Sequence, residues 1–310
     1  MSTVEETLAW EAQWRPRAAA AAFAGALASI AGGILLNAAG RSGPDEGDGF
    51  VSLPQSLGAA AAGRTAAEPS LVVRQADELG DQAGMLTAGT LLVSLGALAA
   101  LGALTYLFRA SRARNPQIGR TVGWSVAAAI AIYPLAHAIG EIATWLQFAD
   151  FADAKERTPA AAKELGRDGA AGAARTLEIF GALALALAFV LTALNAMRVG
   201  LLTRFMGILG ILIGVLVLFP LDRPLLVRSI WLVFLGLLIA GRYPGGAPPA
   251  WATGRAEPWP TQQQLRERRD ALRAEHRDDT APEREPEREL EPGDEGYAPG
   301  AARRKRKKRR

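Results

Sequence analysis

The chain has 310 residues, half of them hydrophobic, with a formal net charge of +4, two histidines and no cysteine. The absence of cysteine removes disulfides, thiolate zinc sites, iron–sulfur clusters and cysteine nucleophiles, and His137 and His276 are too few for a multi-histidine metal site within one chain. The net charge hides a strong clustering of the basic residues in a few short segments.

A hydrophilic stretch over residues 1–17, ending in Arg15 and Arg17, precedes the first of six apolar runs, 18–39. The others cover 85–108, 121–148, 176–197, 205–219 and 225–241. A hydrocarbon core of roughly 30 Å takes about 20 helical residues to cross. Four runs reach that length, and the last two fall slightly short on either side of Pro220 and Pro224. One domain of this size cannot bury six such runs, so the pattern predicts an all-α, polytopic transmembrane bundle of six spans. The first run resembles a signal peptide in its flanking arginines and the small residues after it. Its length exceeds the usual 7–15-residue signal core, which favours a retained span.

Lys and Arg in short loops set orientation. Arg15 and Arg17 lie before the first span, Arg109, Arg112, Arg114 and Arg120 between the second and third, Arg198 and Arg204 between the fourth and fifth, and Arg242 after the sixth. Six crossings put all of these on one side, assigned to the cytoplasm of a bacterial inner membrane, with both termini inside. The outer loops 40–84 and 149–175 carry acids among their basic residues, and 220–224 holds only Asp222 and Arg223 as charges. Within the first, Ser70 can cap a helix that continues into the second span. Within the second, Thr158 followed by Pro159 predicts a short helix to about Leu165.

Small residues mark two spans. Gly25, Ser29, Gly33 and Asn37 recur every four residues in the first, and Gly207, Gly210 and Gly214 form a stripe in the fifth. Such faces let helices approach closely. Packing within the bundle is the simpler use, with a homo-oligomer interface as the alternative. Neither stripe is a nucleotide-binding loop, since each lies inside an apolar run with no lysine following.

His137 and Glu141 are four residues apart in the third span, hence on one helical face, with Pro134 one turn earlier. Counting from Thr121, His137 is about 24 Å along the helix, in the outer half of the membrane. Glu178 enters the fourth span from the same side and Asn37 closes the first span there. These four define a candidate polar pocket. Intramembrane ionisable groups are costly and tend to be functional, but Glu141 and Glu178 are shallow enough for a plain interhelical clamp. One histidine with two carboxylates could also hold a metal. Nothing in the spacing demands one, and none is assigned.

After Gly241, the stretch 243–249 cannot continue a helix, and Trp251 and Trp259 suit the headgroup level. Thr261 with Gln264 fits a capping box for a polar helix over 261–277. The remainder, an acidic and arginine-rich stretch over 282–292 and then Arg303, Arg304, Lys305, Arg306, Lys307, Lys308, Arg309 and Arg310, is too polar to fold alone. The terminal block can contact anionic lipid headgroups. Non-specific nucleic-acid binding is the less favoured use beneath an anionic leaflet.

The segment Asn195-Ala196-Met197-Arg198-Val199-Gly200-Leu201-Leu202-Thr203-Arg204-Phe205-Met206-Gly207 resembles a pattern in an uncharacterised family of bacterial multi-pass membrane proteins. Gly241-Arg242-Tyr243-Pro244-Gly245-Gly246, Pro248-Pro249-Ala250-Trp251 and Glu257-Pro258-Trp259-Pro260 are similar to that family's post-membrane segment. The resemblance runs over about 176–268 and implies topology, with no catalytic residue. No catalytic motif or cofactor signature is present. Two functions therefore stand open: a non-enzymatic membrane component serving assembly, sensing or lipid contact, or a small transporter or channel using the polar pocket.

The tail generates its own test. A peptide covering 261–310 should bind anionic vesicles at low salt and release as salt rises, because polybasic attraction fades within about 8 Å at physiological ionic strength. Equal binding to neutral vesicles would exclude that mechanism.

Overall fold

The structure is a computed structural model that describes residues 3–41, 71–155, 158–167, 169–219, 225–244, 246–258, 266, 269 and 270. Met1–Trp259 forms one compact unit and Pro260–Arg310 another. In the second, Arg266, Arg269 and Asp270 are helical. The remainder of the expected 261–277 helix, the acidic stretch and the Arg303 to Arg310 block lie outside the described residues.

Among the described residues the first unit is helical throughout, without a strand. Its helices are α1 (Val4–Arg41), α2 (Leu71–Asp81), α3 (Ala83–Arg114), α4 (Arg120–Ala152), α5 (Pro159–Glu164), α6 (Gly169–Arg198), α7 (Arg204–Leu218), α8 (Leu226–Ile239) and α9 (Ala250–Thr253). Four of them, α1, α3, α4 and α6, are long and apolar enough to cross a bilayer. With 15 and 14 residues, α7 and α8 extend only about 22 and 21 Å at 1.5 Å per residue. Large apolar side chains stand on the outside, among them Leu27 at 71% exposure, Leu135, Ile179, Phe180 and Ile208. A water-facing surface does not carry that much contiguous apolar area, and these are the marks of a membrane protein.

The long helices overrun the apolar runs at both ends. α1 starts fourteen residues before Ala18 and carries Pro16 within it, and α3 continues through the arginines to Arg114. Alanine, arginine and glutamate are strong helix formers, so nothing local stops the helix where hydrophobicity stops. The expected continuous run from 71 into the second span is broken instead: a turn at Gln82 separates α2 from α3, and the Ser70 cap lies outside the described residues. The short helix α5 matches its prediction closely, with the Thr158 hydroxyl accepting from the Ala161 amide at 3.2 Å. α2 packs with α4 and α5 through Val73, Ala76, Phe151 and Ala162, capping that end of the bundle.

Two antiparallel pairs form the frame. In the first, α1 lies on α3. A Cβ on Gly25 would sit 3.1 Å from both the Ala100 nitrogen and the Gly96 oxygen, and one on Gly96 would sit 2.6 Å from Ser29 Oγ. Farther along, Gly32 rather than Gly33 makes the close approach, with Gly89 O at 2.7 Å from its would-be Cβ. The four-residue stripe drifts because a straight α-helix repeats every 3.6 residues. In the second pair, α4 lies on α6. The glycine stripe of α7 packs within the chain: Gly207 on Met197, Gly210 on Ala193 and Trp231, and Gly214 on Val190 and Ala186. α8 fills the space against α1, burying Trp231 and Leu235 completely.

Surface position now selects probes for the topology. Ser111 lies within the last turns of α3 and is buried, whereas Gln117 in the α3–α4 connection and Thr253 are exposed. Single cysteines at Gln117 and Thr253 should stay unlabelled by an impermeant thiol reagent in intact cells and react after permeabilisation. External labelling at either would overturn the six-crossing orientation.

Candidate functional site

The polar centre within the bundle is built on the α4–α6 register. A Cβ on Gly181 would lie 2.8 Å from the Tyr133 Cα, and one on Gly140 would lie 3.3 Å from the Ala174 Cβ. Between those two glycine contacts, His137 faces Glu178, and His137 Nδ1 and Glu178 Oε1 share a hydrogen bond of 2.8 Å. Both side chains are largely buried, at 14% and 21% exposure. Glu141, one turn on from His137, lies 3.7 Å from the Arg175 guanidinium. The three expected residues therefore converge, with one ligating atom from each within 4.8 Å of the others.

Asn37 stands apart from this cluster. Its amide donates to Gly33 O of its own helix at 3.1 Å, and α1 packs chiefly on α3 and α8.

Two participants were not anticipated. Tyr133, one turn before His137, stacks on the imidazole with ring centroids 5.6 Å apart and planes 5° from parallel. Arg228 of α8 is 4% exposed, donates to Ser29 Oγ at 3.2 Å and lies close to Tyr133. A polar line thus runs from Ser29 through Arg228, Tyr133 and His137 to Glu178 and Glu141. Arg228 could have been found from sequence, as the sole charged residue between Leu225 and Gly241.

Glu178 faces His137, and Glu141 is partly offset by Arg175. The His–Glu–Glu geometry could hold a divalent cation, with the Arg175 guanidinium beside Glu141 competing for that carboxylate. His137 Nε2 is buried with no hydrogen-bond partner.

A second polar centre occupies the opposite end, where α1 begins and α3 ends. The Arg114 guanidinium is fully buried and forms a two-pronged ion pair with Glu11, Nη1 to Oε1 and Nη2 to Oε2, the latter at 3.1 Å. It also donates to Ala250 O, from Nη2 at 2.7 Å and Nε at 3.2 Å, and to Ala110 O at 3.0 Å. Trp251 is buried here rather than resting among headgroups. It stacks on Tyr106 at 6.2 Å, Tyr106 stacks on Trp10 at 5.3 Å, and Arg15 lies 4.8 Å over the Trp251 ring. Its indole donates to Leu201 O at 2.9 Å, and Glu257 N donates to Val199 O at 3.0 Å. Two of the segments that carry the sequence resemblance thus meet, Trp251 and Glu257 reaching back to Leu201 and Val199.

No protein-family model, curated protein or solved structure matches this chain. The reading of the two centres rests on their chemistry.

Removing one member of a buried pair strands the other charge, typically at about 3–5 kcal/mol. Arg114→Met should therefore lower thermal stability in detergent by that order, and Glu11→Met combined with Arg114→Met should recover part of the loss. A single variant as stable as the parent would show that the pair does not hold this end of the bundle.

Proposed function

We propose that the chain is a non-enzymatic component of a bacterial cytoplasmic membrane, crossing it six times with both termini in the cytoplasm. Its bundle serves assembly, sensing or lipid contact. The observation that carries this reading is that the ionisable groups of the bundle pair with side chains on neighbouring helices. His137 is held by Glu178, Glu141 by Arg175, and Arg228 by Ser29. A group that must release and rebind a substrate works best with its partners in the moving species, while a clamp finds its partners on neighbouring helices.

The six-crossing topology draws on the arginine distribution and on the shared end of Glu11, Arg114 and Ala250, which belong on one side in that arrangement. Short spans such as α7 and α8 fit a bilayer that thins locally around them. Membership of the bacterial multi-pass family resembled over 176–268 accords with this placement and adds no activity.

A transporter or channel is the second reading. It is favoured by the buried, unpartnered Nε2 of His137 and by the polar line extending to Ser29.

His137→Ala separates the two. It leaves Glu178 without its partner, an effect of about 1–3 kcal/mol for a buried polar group. The clamp reading expects a lower unfolding midpoint and no proton or ion flux in proteoliposomes from either parent or variant. Flux in the parent that vanishes in a still-folded His137→Ala protein would establish transport and overturn the non-transport reading.

A further inference from the structure

The α1–α3 pair is tight along most of its length and then opens. At Gly25, Gly32, Gly89 and Gly96 the backbones touch, but a Cβ on Gly102 would meet only the Ala21 Cβ, at 3.8 Å. The gap leaves a cavity of about 270 Å³ whose lining includes Trp14, Arg17, Ala18, Ala21, Gly102 and Arg109. Trp10 and Tyr106 close one wall.

The placement of its parts along the membrane normal gives the cavity a direction. Arg17 is the last residue before the apolar run 18–39, and Arg109 is the first after the apolar run 85–108. Both guanidiniums are therefore at the boundary where headgroups lie, while Ala18, Ala21 and Gly102 are on the hydrocarbon side. Arg17 lies over the Trp14 ring at 4.9 Å, so an interfacial aromatic supports the cation. From Gly102 the same face of α3 continues into the membrane through Leu98, Leu95 and Leu91, exposed at 44%, 57% and 44%. That track is about 17 Å long at 1.5 Å per residue.

We infer that this groove is a binding site for an anionic phospholipid of the leaflet at the Arg17 and Arg109 end. The phosphate lies between the two arginines, and one acyl chain runs over Gly102 along the leucine track. A neutral zwitterionic lipid brings its own cation to the same place and gains less from two guanidiniums. A free phosphate matches the arginines but leaves the apolar floor uncovered. The inference rests on the membrane reading and gives its lipid contact a location separate from the basic tail.

The test uses the full-length chain in detergent, titrated with phosphatidylglycerol and, in parallel, phosphatidylcholine. Unfolding midpoint and bound lipid by native mass spectrometry are the readouts. Phosphatidylglycerol should bind saturably and raise the midpoint more than phosphatidylcholine. Arg17→Gln and Arg109→Gln should each weaken it about fivefold, the effect of losing roughly one unit of surface attraction per arginine. Gly102→Leu should weaken it without changing any charge, which binding through the basic tail would not do. The lipid-free midpoints of the variants serve as the folding control. Equal affinity for the two lipids, or parental affinity in both Gly102→Leu and the double arginine variant, would overturn the site. Stabilisation by inorganic phosphate equal to that by phosphatidylglycerol would overturn the lipid and leave an anion site. A chain that stays soluble without detergent would sink the membrane reading itself, which is a different outcome from lack of lipid selectivity.

Discussion

A guanidinium removed from water has to find an acceptor for nearly every proton it carries. Arg114 does so by drawing together three parts of the chain that are remote in sequence: Glu11 near the start of α1, Ala110 on its own helix, and Ala250 beyond the last long helix. The aromatic stack of Trp10, Tyr106 and Trp251 shields the cluster from solvent and is itself fixed by the Trp251 indole on Leu201. The α1–α3 pair, the α6–α7 turn and the post-membrane segment consequently meet at one point. Gly200 in that turn takes φ of 79°, and a Cβ there would run into the Glu257 carbonyl. Glycine is the residue that satisfies both demands at once.

The centre on α4 and α6 works by a different principle. Here the backbones approach first, at Gly181 and Gly140, and the ionisable side chains between those contacts have no other place to go. Interhelical polar contacts in lipid are individually modest, commonly below about 2 kcal/mol. The register is therefore held by packing, and His137, Glu178, Glu141 and Arg175 are arranged by it. Arg228 ties this pair to α8 and, through Ser29, to α1.

Much of this architecture can be read from the chain. Runs of apolar residues report where a helix meets lipid, and the i, i+4 spacing of His137 and Glu141 with the matching depth of Glu178 places those three on facing surfaces. The fifth-span glycines also pack as their spacing suggests. Other features are hidden for physical reasons. Hydrophobicity marks the membrane and not the helix, so the ends of α1 and α3 run past it. The partner of Arg114 is 103 residues away, and an arginine in a basic loop has the same local pattern whether it is buried or solvated. Trp251 follows two prolines after the last apolar run, where an interfacial role is the ordinary reading, and only tertiary stacking reveals it as core. Two helices of 15 and 14 residues remain short of the span length by composition and by geometry alike.

The reach of Arg114 to Ala250 O has a bearing on how the chain is made. Synthesis delivers Glu11 and Arg114 long before residue 250 emerges, so the α1–α3 pair assembles with part of the guanidinium's hydrogen bonding still supplied by water. The last acceptor arrives only once α8 and the segment after it have left the ribosome. Closure of this end is thus a late event in biogenesis, and it reports that the whole helical unit has been completed. A chain interrupted before Pro248 would keep its long apolar helices and lack both the Ala250 acceptor and the Trp251 ring that close this end.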